Sequence, residues 1–506
     1  MDTYAQGASD ARGLGSAATP LGEGRLGVKA SPHLVRYVNK VELDDELVAL
    51  DEYVQTDLAH ALMLTQEGVF GLAHGCALVS ALLDLLSGDT IALLEPSPDW
   101  GTLGLQIERY LERTCGPEGR DIQRARSRID QKATNWRLIN RRRLTQVIGE
   151  LLDLGEEMLS AAERHNGNVV PGYTHLQHSQ PTTFDHYLNA HYWTLTRNLD
   201  RLFDAYDRLN VSPLGGAAYS GTSWPINRAT TAHYLGFDSP VPNARDAGMA
   251  SLDMGAELAG VLALTLSGMS RIAGDLNYWA SSEVGLIRIA ASLSGTSSMM
   301  PQKRNPIVLE RIRGLAGTAS GWAASQLGLM HTAVSTDVDQ AYVENPIPKY
   351  CDELGGAITL LREVIATLEV DVDGMRASAG RHWATASALA DALVETRGMS
   401  FREAHESVAK LVATHEHDGE AARFETDANL HGIDSVQLNR ILDPRIFVDT
   451  RISEGGTGPA ARAALADAAR KNLDLQRERL ASRREQVHAG RERLVADARS
   501  LSSHHF

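Results

Sequence analysis

The sequence predicts an all-α fold: three helical domains with a long central helical bundle. Three observations carry that prediction. Proline, which breaks helix interiors, is absent from 182–212, 243–300, 307–345 and 349–443, runs long enough for helices of many turns. Apolar residues recur at three- and four-residue steps, the period of one helix face. Aromatic residues make up only 6% of the chain, too few for a large β-sandwich, where aromatic and β-branched side chains are favoured. A length of 506 residues allows about three domains.

The elements follow in order. Residues 1–20 are rich in Gly, Ala, Ser and Thr and are expected to form a flexible segment. They lack the apolar core that a signal peptide needs. An N-terminal helical domain is placed at 21–125. Its clearest helix carries Leu47, Leu50, Val54, Leu58 and Leu62, with Asp44 and Asp45 as candidate N-caps. The central bundle is placed at 126–375. Leu195, Leu199, Leu202, Tyr206 and Leu209 mark one of its stripes. Between Leu252 and Met269 the chain is apolar almost all round, through Leu258, Val261, Leu262, Leu264 and Leu266. Such a helix must be buried among others, in a bundle open to completion by further subunits. A smaller helical domain is placed at 376–470. The charged tail at 471–506 belongs to a stretch dense in Ala, Arg, Glu and Leu that reads as an exposed helix with a solvated face.

Composition narrows the function. Asp and Glu total 64 against 49 Lys and Arg, a formal charge of −15. That surface repels phosphate backbones, so nucleic acid is not an expected partner. No run of about 18 uncharged apolar residues occurs, so no membrane span is expected. Three cysteines form neither a disulfide framework nor a close pair for zinc, which fits a reducing, cytoplasmic compartment. No cofactor is expected and no metal site.

Three segments carry polar residues where a plain bundle needs none. The first is Gly172-Tyr173-Thr174-His175-Leu176-Gln177-His178, between helical runs and so a turn or a helix entry. On a helix, His175 and His178 would share a face, as in some metal sites. No Cys, Asp or Glu nearby completes a ligand set, and two ordinary histidines are the alternative. The second is Ser127-Arg128-Ile129-Asp130, ahead of an arginine-rich helix. Arg128 has the chemistry of a bidentate carboxylate clamp; an Arg128–Asp130 pair closing a turn is the alternative. The third and strongest is Gly295-Thr296-Ser297-Ser298-Met299-Met300-Pro301-Gln302-Lys303-Arg304-Asn305-Pro306, before a helix carrying Glu310. This small-residue loop can close over a ligand, with Lys303 and Asn305 as donors to negative charge. The phosphate-loop spacing G-x-x-x-x-G-K is absent.

Together these segments resemble the fumarase/aspartase superfamily, and its argininosuccinate lyase branch in particular. The likeness spans roughly 20–470. It includes Gly24-Arg25-Leu26, Asp57-Leu58-Ala59-His60, Ser127-Arg128, Tyr173–Gln177, the Ser297–Pro306 loop and Phe401-Arg402-Glu403-Ala404-His405-Glu406. The resemblance implies elimination of an amine from an N-substituted aspartate (a succinyl-amine) to give fumarate, or the reverse addition. It implies Ser297 as the base, on a mobile loop, with Lys303 and Asn305 stabilising the aci-carboxylate and Ser298 beside them in the substrate pocket. His175 would organise the acid for the leaving amine, with Glu310 holding its imidazole. Ser127, Arg128, Thr174 and Gln177 would bind substrate. It implies a homotetramer whose active sites each draw on three subunits.

The chain also departs from that pattern. Ile129 stands where the family carries asparagine, and Thr296 where it carries glycine. Thr102-Leu103-Gly104 replaces an Asp-x-His pair, and Lys40 a serine. Val334-Ser335-Thr336-Asp337-Val338-Asp339 keeps only Asp337 of the stretch lining the amino-acid side of the pocket. The fumarate-forming half looks intact and the amine-binding half rebuilt. The expectation is therefore a C–N lyase with an altered amine partner, in a specialised biosynthetic pathway. Asp337 and Asp339 hint at a cationic amine, Lys40 at an additional carboxylate. The alternatives are argininosuccinate lyase itself, a same-scaffold lyase or cyclase of different chemistry, and an inactive structural relative. A metal hydrolase using His175 and His178, or His415-Glu416-His417, ranks last.

Overall fold

The computed structural model describes residues 28–249, 251–331, 342–343, 345–414 and 429–503. The first 27 residues, the 334–339 stretch and His415–His417 lie outside them. The described chain is built on helices, with only short strand pairs between them.

The N-terminal region packs α1 (Leu50–Gln66), α2 (Leu72–Ser87) and α3 (Leu103–Cys115) around Leu58, Leu62, Leu78, Leu82 and Ile107. The bundle is built on α4 (Arg128–Arg164), whose 37 residues rise about 1.5 Å each and so span about 55 Å. A hairpin of β1 (Val169–Thr174) and β2 (Gln177–Thr183) follows, then α5 (Phe184–Leu209), running back along α4. The bundle continues with α6 (Ser251–Trp279), α7 (Ile307–Leu329) and α8 (Pro346–Ala366). Their core includes Leu151, Phe203, Leu262, Leu266, Leu309, Ile312 and Leu361.

A smaller cluster, with Leu389, Leu393, Ala404 and Leu438, forms from α10 (Ala386–Arg397), α11 (Phe401–Thr414) and α12 (Ser435–Ile441). The short α9 (Val372–Ala379) and α13 (Pro444–Asp449) flank it and pack on the hairpin.

Two expectations change. The boundary at 470/471 falls inside one helix, α14 (Pro459–Ser502). That helix is no solvated tail. Leu473 and Leu480 enter the bundle core, and Leu494 and Ala498 enter the N-terminal core. Gly236 and Gly490 let it approach: a Cβ at Gly236 would lie 2.8 Å from the Val487 Cα. Its arginines pair outward, Arg477 with Glu156 at 3.0 Å and Arg483 with Asp207 at 2.6 Å. The second concerns the apolar helix. Leu252–Trp279 is long and apolar enough to cross a membrane by length and composition, with mean hydropathy 1.3. Scattered charges such as Glu257 and Arg271 hide this from a search for uncharged runs. It packs against α5, α7 and α8, yet only 39% of its most apolar window is buried and Leu264 stays exposed.

Candidate active site

The three polar segments occupy the two ends of the bundle. Ser127 caps α4, its hydroxyl accepting from the Ile129 N–H at 3.4 Å. Asp130 completes a capping box: its Oδ1 accepts from the Ser127 N–H at 2.8 Å. Its Oδ2 accepts from the N–H groups of Gly215 and Ala217 at 2.8 and 2.9 Å. Positive φ at Gly215, Ala217, Tyr219 and Gly221 turns those N–H groups onto one anion, as in a backbone nest. Burial pushes the Asp130 pKa up, against these donors and Arg126. Thus Asp130 bolts the 213–221 loop to the start of α4, where Arg128 lies exposed.

Behind this cap, Asp57 pairs with Arg126 at 2.6 Å, both buried, and accepts from Gln131 Nε2 at 2.7 Å. His60 Nε2 meets the Arg124 carbonyl at 2.8 Å, and burial holds its pKa well below the usual value. The Asp57–His60 motif therefore braces the segment leading into Ser127. Ile129 fills the space beside the Tyr219 ring where Gly248 has no side chain: a Cβ there would lie 2.6 Å from Tyr219 and 3.1 Å from Ile129.

Past the other end of α4, Thr174, His175 and Gln177 stand at the exposed apex of the hairpin. Thr174 pairs with Gln177, leaving a two-residue turn in which His175 and Leu176 have φ of 56° and 59°. This corrects the helical reading. His178 pairs with Tyr173 in the ladder, so His175 and His178 share no helix face and the metal reading loses its geometry.

The third segment lies at the same end as the hairpin. Trp279, the last residue of α6, meets Tyr187 at the start of α5 with the rings tilted (centroids 4.7 Å apart), and Tyr278 meets Tyr173 at 5.4 Å. The chain then forms β3 (Gly295–Thr296) and β4 (Arg304–Asn305), paired Gly295 to Asn305 and Thr296 to Arg304. The pairing ends there, so Ser297 and Lys303 are the first residues of the loop on either side. The Ser297 hydroxyl accepts from the N–H groups of Met299 and Met300 at 3.3 and 3.0 Å. Arg304 anchors the neck by donating to the Ile289 carbonyl at 2.7 Å. Ser298, Lys303 and Glu310 are exposed, and Asn305 is half-buried.

One chain therefore gathers the hairpin and the serine loop at one end of the bundle. It holds Ser127 and Arg128 at the other, about 55 Å away along α4. Among the described residues, no hydrogen bond joins Glu310 to His175 within the chain. Lys40 forms an exposed pair with Asp44 at 2.6 Å. No group of three or more His, Cys, Asp or Glu placed to hold a metal occurs among the described residues. Asp130 and the 213–221 loop escape recognition as a unit because 85 residues separate them.

Comparison with known proteins agrees with this arrangement. A family model described as lyase matches residues 101–321, and one for the argininosuccinate lyase C-terminal region matches 383–449. The argininosuccinate lyase of Methanothrix thermoacetophila is 32% identical over 93% of this chain and 97% of its own. That of Cupriavidus metallidurans is 35% identical over 87% and 95%. Among solved structures, EDDS lyase in complex with formate superposes with a TM-score of 0.81 at 29% identity, covering 94% of this chain and 96% of that one. An EDDS lyase variant with bound fumarate gives 0.81 at 30%, covering 95% and 97%. A 3-carboxy-cis,cis-muconate lactonizing enzyme from Pseudomonas putida, at 18% identity over 88% of this chain and all of its own and a TM-score of 0.67, shares the fold. The chain has the all-α fumarase/aspartase fold and belongs to the argininosuccinate lyase family of carbon–nitrogen lyases.

Proposed function

We propose that this enzyme eliminates an amine from an N-succinyl-amine to give fumarate, or runs the reverse addition, with an amine partner other than arginine. The observation that carries the reading is the 295–305 hairpin, whose pairing ends at Thr296 and Arg304 and leaves Ser297 and Lys303 as the first loop residues on either strand. Ser297 removes the proton from the carbon next to a carboxylate. The electron pair spreads into that carboxylate as an aci-carboxylate, facing Lys303 and Asn305, with Ser298 at the pocket wall. Collapse of the aci-carboxylate forms the C=C bond, the C–N bond breaks, and the amine leaves with a proton from the acid organised by His175. Glu310 orients that imidazole. Ser127, Arg128, Thr174 and Gln177 hold the substrate. Serine is a weak base in water, so loop closure, desolvation and the nearby cation must lower its effective pKa.

Because α4 separates Arg128 from Ser297, each site is assembled from several copies of the chain in a homotetramer, working in the cytoplasm. The exposed part of α6, with Leu264, and the uncovered face of α7, where Gly314, Gly317, Gly321 and Gly328 meet nothing within 4 Å, suit that contact. The altered amine partner rests on Ile129, an apolar side chain beside Gly248 and opposite Tyr219, where a hydrogen-bonding group is usual. The identity to argininosuccinate lyases favours the second reading, arginine as the partner. Purified protein assayed with argininosuccinate and a panel of N-succinyl amines, following fumarate at its ultraviolet absorbance with a Ser297→Ala control, decides between them. Argininosuccinate turned over faster than every panel member would sink the altered-partner reading.

A further inference from the structure

Two histidines that the reaction does not use meet beneath the hairpin carrying His175. His178 faces Tyr173 across the ladder, their rings edge-on at 5.0 Å. The His178 ring also lies 4.8 Å from that of His382, in the connection between α9 and α10. Tyr173 extends the contact to Tyr278 at 5.4 Å, and its hydroxyl bonds with Ser378. A row of four rings, Tyr278, Tyr173, His178 and His382, ties the hairpin to the end of α6 and to the α9–α10 connection. Both turns it joins are conformationally disfavoured. His175 and Leu176 have φ of 56° and 59°, His382 and Trp383 of 53° and 57°. Left-handed backbone at non-glycine residues persists only where the surroundings over-determine it. The hairpin apex is exposed, so the row of rings beneath it supplies much of that constraint.

We propose that His178, packed against the His382 ring, forms a pH-sensitive latch that positions His175, packing the hairpin when the His178 ring is neutral and releasing it when that ring is protonated. His178 is a positioning residue here, and the proposal rests on the role given to His175 above. The His178 Nδ1 is buried and has no hydrogen-bond partner. Most carboxylates on the elements packed here are engaged by other residues. Tyr173, Tyr278, Arg381 and His382 line the row. On α9, Arg376 pairs with Asp443, and Asp373 lies in the first turn. On α13, Arg445 engages Asp449, and Asp185 of α5 is engaged by Arg462 of α14. His186 is held by Thr182 and the Gly455 carbonyl. Burial, then His382, then Arg381 hold the His178 pKa below its usual value. A free imidazole titrates near about pH 6.5. Docking is thus at full strength above about pH 6.5 and weakens as pH falls below it toward the depressed pKa.

Hydrogen exchange of the intact protein tests this. Protection of the 169–183 amides, corrected for intrinsic rates, should be lower at pH 5.5 than at pH 8. Protection within α4 should not change. His178→Phe keeps a ring in the row without the titrating group and should reduce the fall to less than about threefold. A wild-type hairpin equally protected at both pH values, or an undiminished fall in the Phe variant, would overturn the latch. In turnover, His178→Gln should lower kcat at pH 8 and also raise KM, because His175, Thr174 and Gln177 ride on the same hairpin; an unchanged kcat would count against positioning. If no N-succinyl amine is turned over, the proposed reaction fails, while hydrogen exchange still decides the latch. If turnover depends on Ser297 and the exchange profile is flat, the latch alone fails.

Discussion

Replacing Asp130 with asparagine tests how the substrate-clamp end of the bundle is built. Its carboxylate accepts three backbone N–H groups, from Ser127 on one oxygen and from Gly215 and Ala217 on the other. Asparagine is the same shape with one acceptor. Its best rotamer keeps the oxygen toward Gly215 and Ala217 and points its NH2 at the Ser127 N–H, leaving two buried donors face to face. One charge-assisted bond is lost outright, about 1.5–3 kcal/mol, and two weaken to neutral bonds, about 1 kcal/mol each. The total is about 3–5 kcal/mol. Urea unfolding at fixed protein concentration reads it as a lowered midpoint with an unchanged slope. Because the loss falls on the turn that presents Ser127 and Arg128, KM for the succinyl substrate should rise more than about tenfold while kcat changes less. A variant with the wild-type midpoint and KM would refute the idea that Asp130 holds this cap.

Three further outcomes follow. Leu473→Ala, at a position 1% exposed, should cost about 2–5 kcal/mol in urea unfolding, the range for a leucine deleted from a packed core; a loss under about 0.5 kcal/mol would return α14 to the status of a surface tail. Ser297→Ala should lower fumarate formation by more than about a thousandfold with an unchanged circular dichroism spectrum, because no other group at the loop neck replaces the base. Dialysis against a strong chelator should leave turnover unchanged, since Lys303 and Asn305 supply the charge stabilisation; loss of activity restored by a divalent ion would contradict that assignment.

Much of the helical architecture was legible because its signals are local. Proline spacing and the Leu195–Leu209 stripe follow directly from helix geometry. What was hidden depends on contacts between distant residues or on a weak local signal. The Thr174–Gln177 hairpin lacks the Asn-Gly or Asp-Gly pair that usually marks a two-residue turn; His175 and Leu176 adopt positive φ only because the rings beneath hold them. The buried stripe of α14 falls at multiples of seven residues, Leu473, Leu480 and Leu494, but nine arginines in that helix obscure it. The candidate site residues were recognisable as three motifs. Their division between opposite ends of one bundle is a property of chain topology, which no motif carries.

That division is the central claim, and mixing two inactive variants tests it most directly. Arg128→Ala and Ser297→Ala each remove one end of the site. If a working site needs Arg128 from one copy and Ser297 from another, subunits dissociated, mixed equally and reassembled should recover about a quarter of the wild-type rate, the chance that both positions at a given site are intact. Recovery near that level is the predicted result. A mixture no more active than its two components would contradict a site shared between chains.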